Sequence, residues 1–527
     1  MSLEQYFNKF RSQITGIDHQ ISTPQGRKPL VYADWIASGR MYDEIEEKVN
    51  KLLSPIVANT HTETSYTGTV MTNAYHQSKQ IIKNHVNADE KDVILFVGSG
   101  MTGAINKLQR IMGLKVFDRT NAYLESTSQQ GWLDKLLGRK ADLPQAGLSF
   151  KKNAKPVVFI THMEHHSNHT CWLETIVDLE VIASDENGLV DLNHFSELLE
   201  KYKDRTWKIA SVTAASNVTG IIPPYYEMAE MIHNHNGFCF VDFACSAPYV
   251  KIDMHPKNPK QALDAVFFSP HKFLGGPGTP GIVVFNSKLY SNKSPDNPGG
   301  GTVVYTSPWT MHDYIDDIEA REDGGTPPFM QGIRAALAIQ LKDQMDPDKI
   351  QAREHELLDY FFDGLNRIDN ISILAGQHKK RLGVISFVHK FVHYNLYVRL
   401  LNDFFGIQVR GGCACAGTYG HYLLEINQEN AYSLRAQILK GDSLNKPGWV
   451  RLSIHPTMTN KEAAYILDAI KQVSENAASW SKDYTYQPSK NEFLYIGNNK
   501  SSHEAEVIEQ LFQTTAQSQP SPSPQTN

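Results

Sequence analysis

From about Pro29 onward, short apolar stretches alternate with longer segments of helical period, the pattern of a sheet covered by helices. The stretches are Asp92–Val97, Pro156–Ile160, Lys208–Val212, Gly237–Val241, Ala265–Phe268 and Gly281–Phe285. Several run apolar without alternation, so both faces of their sheet are expected to be buried. Helices are predicted over Ala104–Ile111 and over Met330–Met345, the second after a stretch of charge, glycine and proline from Arg321 to Pro328. The pattern divides the chain into an N-terminal arm (1–28), a large α/β domain (29–345), a smaller α+β domain (346–479) and a polar tail (480–527) expected to be disordered. Within the large domain, 121–155 is polar and irregular and reads as an insertion.

Composition narrows the class. With 41% hydrophobic and 20% charged residues in 527, the chain can build large cores. The formal charge of −6 is spread out, with no basic stretch to follow a phosphate backbone, so nucleic acid is not an expected partner. Met1–Asp18 lacks the pattern of an export signal, and no apolar run approaches the roughly 18 residues that span a bilayer. No membrane association is expected, and the setting is read as cytoplasmic. Five irregularly placed cysteines do not form a disulfide framework, so a functional one is expected to be a reactive thiol.

The chemistry centres on Ser269–Gly281. Lys272 follows the strand Ala265–Phe268, and the glycines after it let the backbone pass close, which suits a lysine joined covalently to a planar cofactor. Asp242 ends the strand before it. Pyridoxal phosphate withdraws electrons only while its ring nitrogen is protonated, and a carboxylate beside that nitrogen keeps the proton on. Lys272 and Asp242 are the candidates for those two positions, against the plainer readings of a solvated lysine and a strand cap.

Gly98–Asn106 offers backbone donors for a phosphate at a helix start. Gly98, Gly100 and Gly103 also satisfy the dinucleotide fingerprint, with Asp118 about 20 residues on as the ribose contact. Alone, this stretch does not decide, but the dinucleotide reading leaves Lys272 without a purpose. His162, His165, His166 and His169 would share a face on a helix and suggest a metal site. They directly follow a strand, however, so turn is expected first and no metal is assigned. Alternation in Val450–His455 puts Arg451, Ser453 and His455 on one face, and a guanidinium there suits a substrate carboxylate or, more plainly, a surface ion pair.

Taken together, Tyr32–Ser38, Asn59–His61, Gly100–Asn106, Glu164–Asn168, Asn217–Gly220, Val241–Asp242, Ser269–Lys272, Glu322–Pro327, Arg410–Cys415 and Val450–Ser453 resemble the class V aminotransferase and cysteine desulfurase family, of pyridoxal-phosphate fold type I. The resemblance runs from about Val31 to Ile470. It implies a Schiff base on Lys272 and a phosphate held by Ser269, His271, Thr102 and the amide of Met101. Asp242 pairs the ring nitrogen, His165 stacks on the cofactor and helps move protons, and Asn217 reaches the ring hydroxyl. Arg451 and His61 contact substrate. Thr326 reaches the phosphate of a partner subunit, which implies a homodimer.

In the desulfurase branch a cysteine lies five residues beyond an arginine, here Cys415 after Arg410. The resemblance makes Cys415 the nucleophile that takes sulfur from a cysteine-like amino acid as a persulfide, releases alanine, and passes the sulfur to an acceptor protein; the alternative is plain amino transfer. Cys413, on an extended segment, is expected to point the same way as Cys415. The chain departs from the family where Cys245 replaces a glutamine that donates to the cofactor's ring oxygen, and where Met101 and Gly103 replace a threonine and a glutamate.

Overall fold

The computed structural model describes residues 1–60, 62–127, 153–497 and 503–513. Its centre is a seven-stranded mixed sheet of β1 (Asp92–Val97), β2 (Val157–Thr161), β3 (Asp178–Ile182), β4 (Lys208–Thr213), β5 (Phe238–Asp242), β6 (Ala265–Phe268) and β7 (Gly281–Asn286). The order is β1-β7-β6-β5-β4-β2-β3; β7 is antiparallel to both its neighbours and the remaining pairs are parallel.

Each expected apolar run is a strand, and the reason it lacks alternation is visible in the packing. Ile94 and Phe96, Val157 and Phe159, and Ile282 and Val284 join one hydrophobic cluster. The residues between them, Val93 and Leu95, Val158 and Ile160, Val283 and Phe285, join another on the opposite face. Both faces are dry, so both must be apolar.

A third cluster belongs to a four-stranded antiparallel sheet of β8 (Ile371–Ile373), β9 (Val384–His389), β10 (Arg410–Gly412) and β11 (Trp449–Ser453), ordered β8-β9-β11-β10. The expected boundary at residue 29 does not follow this packing. Val31 and Tyr32 pair in parallel with Ile407 and Gln408, Asp34 bridges Ser453, and Val31 and Ala33 lie in the third cluster. A two-residue strand whose partner is hundreds of residues away has no period of its own to read.

The tail also differs from expectation. Tyr484–Gln487 and Glu492–Tyr495 form a hairpin, Tyr484 is buried with its hydroxyl donating to Asp403 Oδ2 at 2.9 Å, and Trp480 stacks on Phe404 with ring centres 4.0 Å apart. The aromatics of this polar segment cover the small core, which pays the ordering entropy that composition alone suggested was out of reach. The expected insertion at 121–155 starts inside a helix, Asp118–Thr127, rather than in irregular chain, and 128–152 lies outside the described residues. No described helix is long and apolar enough to cross a membrane.

Candidate active site

The carboxyl ends of β4, β5 and β6 stand side by side, with Thr213 paired to Asp242 and Asp242 to Phe267. Ligands of open α/β sheets bind at such ends. The turn that follows β6 carries Lys272 and is pressed against the N-terminal segment. The Gly39 N–H donates to His271 O at 2.8 Å, and a Cβ on Gly39 would sit 1.9 Å from Phe273 O. Glycine is required there because two backbones touch.

Lys272 and Asp242 line one cavity, with Ser269, His271, Met101, Thr102, His165, Asn217, Arg451 and Cys415 also in its wall. Burial pulls the Lys272 ammonium below the usual lysine range, opposed by Cys245 and Asp242. The same burial pushes Asp242 up to about 6, although it accepts the Ala244 N–H at 2.8 Å and feels the Lys272 amine. Burial shifts the amine toward its neutral form, the form that is a nucleophile for an aldehyde. A buried carboxylate held above its normal range gains most from a further cation, such as a protonated ring nitrogen would supply.

Beyond β1, helix α1 (Met101–Ile111) opens on Gly100, and Gly100, Met101 and Thr102 line the cavity. The Met101 N–H donates to Ser269 Oγ at 2.8 Å, and Thr102 Oγ1 lies 2.6 Å from Ser167 Oγ. A Cβ on Gly100 would stand 3.2 Å from Ser269 Oγ, so glycine keeps the cradle open. Hydroxyls and amides at a helix start make an anion site. The dinucleotide alternative fails on topology: β1 pairs antiparallel with β7 at the sheet edge, whereas that fingerprint needs a parallel β-α-β unit.

Arg451 faces the cavity from the small sheet. Register places it directly opposite Arg410, and both guanidiniums share one carboxylate: Arg451 Nη2 donates to Asp34 Oδ1 at 2.7 Å and Arg410 Nε to Asp34 Oδ2 at 3.1 Å. Arg451 Nη1 reaches Asn217 O at 3.2 Å, while its buried Nε and Asn217 Oδ1 have no hydrogen-bond partner. A donor and an acceptor left over in one wall fit a ligand carrying both a carboxylate and a hydroxyl or amine. The role of Asp34 escaped the sequence reading, because nothing in its spacing links it to Arg451. Asp34→Asn is expected to cost roughly 3 kcal/mol of stability by leaving a buried guanidinium short of its counter-charge. It should also raise the KM for the amino acid about tenfold; thermal unfolding and steady-state kinetics check both.

His165 caps helix α2 (His166–Leu173), its Nδ1 accepting the Ser167 N–H at 3.1 Å, and burial lowers it to about 3. It is therefore neutral, with its proton on Nε2. Three other histidines of this run are engaged within the protein: His162 Nε2 contacts Gly188 O at 3.2 Å, His166 Nε2 accepts the Gly417 N–H at 2.9 Å and His169 Nδ1 meets Thr418 Oγ1 at 3.1 Å.

Cys415 is exposed and lines the cavity, on a turn with Ala414 and Cys415 at φ 49° and 56°. The segment is thus not extended, and Cys413 packs against the large core instead of facing the same way. Cys245 is buried in the cavity wall, donates to Ala215 O at 3.0 Å and is pushed up to about 12 by burial, so its thiol is inert. Thr326 is exposed and outside this cavity, and His61 lies outside the described residues.

Residues 144–466 match the family model for aminotransferase class-V, well over half of the chain. The protein belongs to the class-V aminotransferase family. That family works with pyridoxal 5'-phosphate, and the donor set above fits it: an amine and a carboxylate in one cavity wall, an anion cradle and a neutral imidazole. Among curated proteins, the chain is 28% identical over 397 residues to a probable cysteine desulfurase of Halalkalibacterium halodurans, covering 74% of this chain and 84% of that one. It is 31% identical over 268 residues to a cysteine desulfurase of Haloferax volcanii, covering 49% and 59%. Its fold matches the apo structure of a cysteine desulfurase from Thermococcus onnurineus with TM-score 0.66 at 20% identity, over 89% of this chain and 98% of that one. An Escherichia coli cysteine desulfurase matches with TM-score 0.65 at 19% identity, again over 89% and 98%.

Proposed function

We propose that this class-V aminotransferase family member removes sulfur from L-cysteine or a cysteine-like amino acid, releasing alanine and leaving a persulfide on Cys415. The observation that carries the reading is that a thiol, Cys415, lines the same cavity as Lys272, Asp242 and Arg451. When bound, pyridoxal phosphate supplies an electron sink that weakens the bonds around the substrate's reacting carbon.

The protein's own residues do the rest. Met101 N–H, Ser269, Thr102 and His271 hold the phosphate, Asp242 holds the ring proton, Asn217 reaches the ring hydroxyl, and Arg451 orients the substrate. The Lys272 amine holds the cofactor and moves a proton at the substrate's α-carbon. His165 has a proton to lend from Nε2. The Cys415 thiolate attacks the substrate sulfur: the new S–S bond forms as the C–S bond breaks, the electron pair passes to the carbon side, and that carbon takes a proton to become the alanine methyl group. Water exclusion is partial, because Cys415 is exposed. The same exposure lets an acceptor protein collect the sulfur.

The active form is proposed to be a homodimer. Thr326 is exposed and lies outside its own chain's cavity, which supports the reading that it reaches the phosphate of a second copy. The five cysteines are all free, which suits the reducing cytoplasm. Incubation with L-cysteine and a reductant should yield alanine and sulfide in equal amounts. Amino transfer from L-cysteine to a keto acid, without alanine or sulfide, overturns the proposal.

A further inference from the structure

Of the four histidines between His162 and His169, the cofactor site uses only His165. His166 touches the nucleophile's own turn twice. Its main-chain N–H donates to Cys415 O at 2.8 Å, and its Nε2 accepts the Gly417 N–H at 2.9 Å. A Cβ on Gly417 would stand 3.2 Å from that Nε2, so glycine lets the ring close on the turn. From the other side, Asn217 Nδ2 donates to Ala414 O at 2.7 Å. Between these holds, two consecutive residues with side chains sit in the left-handed region, at φ 49° and 56°. L-residues avoid that region, and a pair of them stays there only when the surroundings impose it.

We propose that His166 is the positioning residue for Cys415, holding the 414–417 turn in the left-handed form that presents the thiol to the cavity. The inference rests on Cys415 being the nucleophile. The bond from Gly417 requires a lone pair on Nε2, hence a neutral ring with its proton on Nδ1. Burial favours that state, and the charge of Lys446 favours it further; burial likewise pulls down His165, the cap of the same helix, and His169 on it. An alternative arrangement, in which the turn is fixed by its own Ala416 N–H to Cys413 O bond of 2.9 Å, makes the imidazole dispensable.

The test uses the full-length, cofactor-loaded protein with His166→Leu and His166→Gln. Glutamine Oε1 stands as many bonds from Cα as histidine Nε2 and can accept the same N–H. In His166→Leu, deuterium exchange at the Gly417 amide should accelerate roughly tenfold, because its acceptor is gone. The kcat for persulfide formation should fall at least about tenfold while KM for L-cysteine stays within about twofold, since attack geometry and not binding is lost. His166→Gln should restore both, and neither variant should change cofactor absorbance or thermal unfolding. An unchanged Gly417 exchange rate, an unchanged kcat, or a glutamine variant as slow as the leucine variant overturns the proposal. A wild type that makes no persulfide sinks the desulfurase reading instead, and the exchange comparison then decides the clamp alone.

Discussion

Lys272→Ala is expected to lower turnover by a factor of at least about 10³, the loss that follows when a positioned proton-transfer group is removed from a reacting centre. It should also end covalent attachment of the cofactor. Borohydride treatment of the wild type should fix the cofactor to the peptide carrying Lys272, and the same treatment of the variant should leave every lysine unlabelled. The argument rests on position: the amine sits at the end of β6, in the cavity wall, below its usual pKa and with Asp242 in the wall beside it. Binding itself should persist in part, because the Met101 amide, Ser269 and the start of α1 do not depend on the lysine. Removing the amine also removes the charge that opposes burial at Asp242, whose carboxyl then moves further above its ordinary range in the cofactor-free protein. A variant that turns over at the wild-type rate, or labelling of another lysine, contradicts this assignment.

What the sequence reveals of this fold depends on how locally each feature is encoded. The central strands are legible because a strand buried on both faces must be apolar at consecutive positions, and Val157–Thr161 or Gly281–Asn286 cannot be read otherwise. Asp178–Ile182 is not, because it is the edge strand, half exposed, with Asp178 and Glu180 paired to Lys155 and Lys201. Lys272 and Asp242 stand out because Asp242 ends one strand and Lys272 lies on the turn just after the next, and the sheet brings neighbouring strand ends together. Asp34 does not, since its link to Arg410 and Arg451 exists only after a short N-terminal strand has docked on a sheet formed hundreds of residues later.

The two cysteines near residue 414 show how a correct periodicity rule can fail locally. Alternation applies to extended chain, but Ala414 and Cys415 have positive φ, and the chain turns between the thiols. One is delivered to the cavity and the other to the core. No residue type in the sequence announces that turn, because alanine and cysteine are ordinary choices for a strand and poor ones for the left-handed region. The conformation is imposed from outside, by Asn217 and His166.

That divergence makes Cys415→Ser and Cys413→Ser an informative pair. Cys415→Ser should abolish formation of sulfide and alanine from L-cysteine, a loss of at least about 10³, because a hydroxyl at this position neither ionises near neutral pH nor forms a bond to sulfur that can hold and release it. Cofactor absorbance should be unchanged, since the Lys272, Asp242 and phosphate contacts do not involve this side chain. Cys413→Ser should keep turnover within about threefold of the wild type and instead lower stability by about 1 kcal/mol, as a half-buried thiol packed on the large core becomes a hydroxyl. Mass spectrometry of the L-cysteine-treated wild type should find the added sulfur on the peptide that contains Cys415, and tandem fragmentation should place it there rather than on Cys413. Full turnover in Cys415→Ser leaves the cofactor site intact as chemistry but makes amino transfer its better description. Loss of activity in Cys413→Ser alone means that the turn presents the other thiol, and that the left-handed pair at 414 and 415 opens during catalysis.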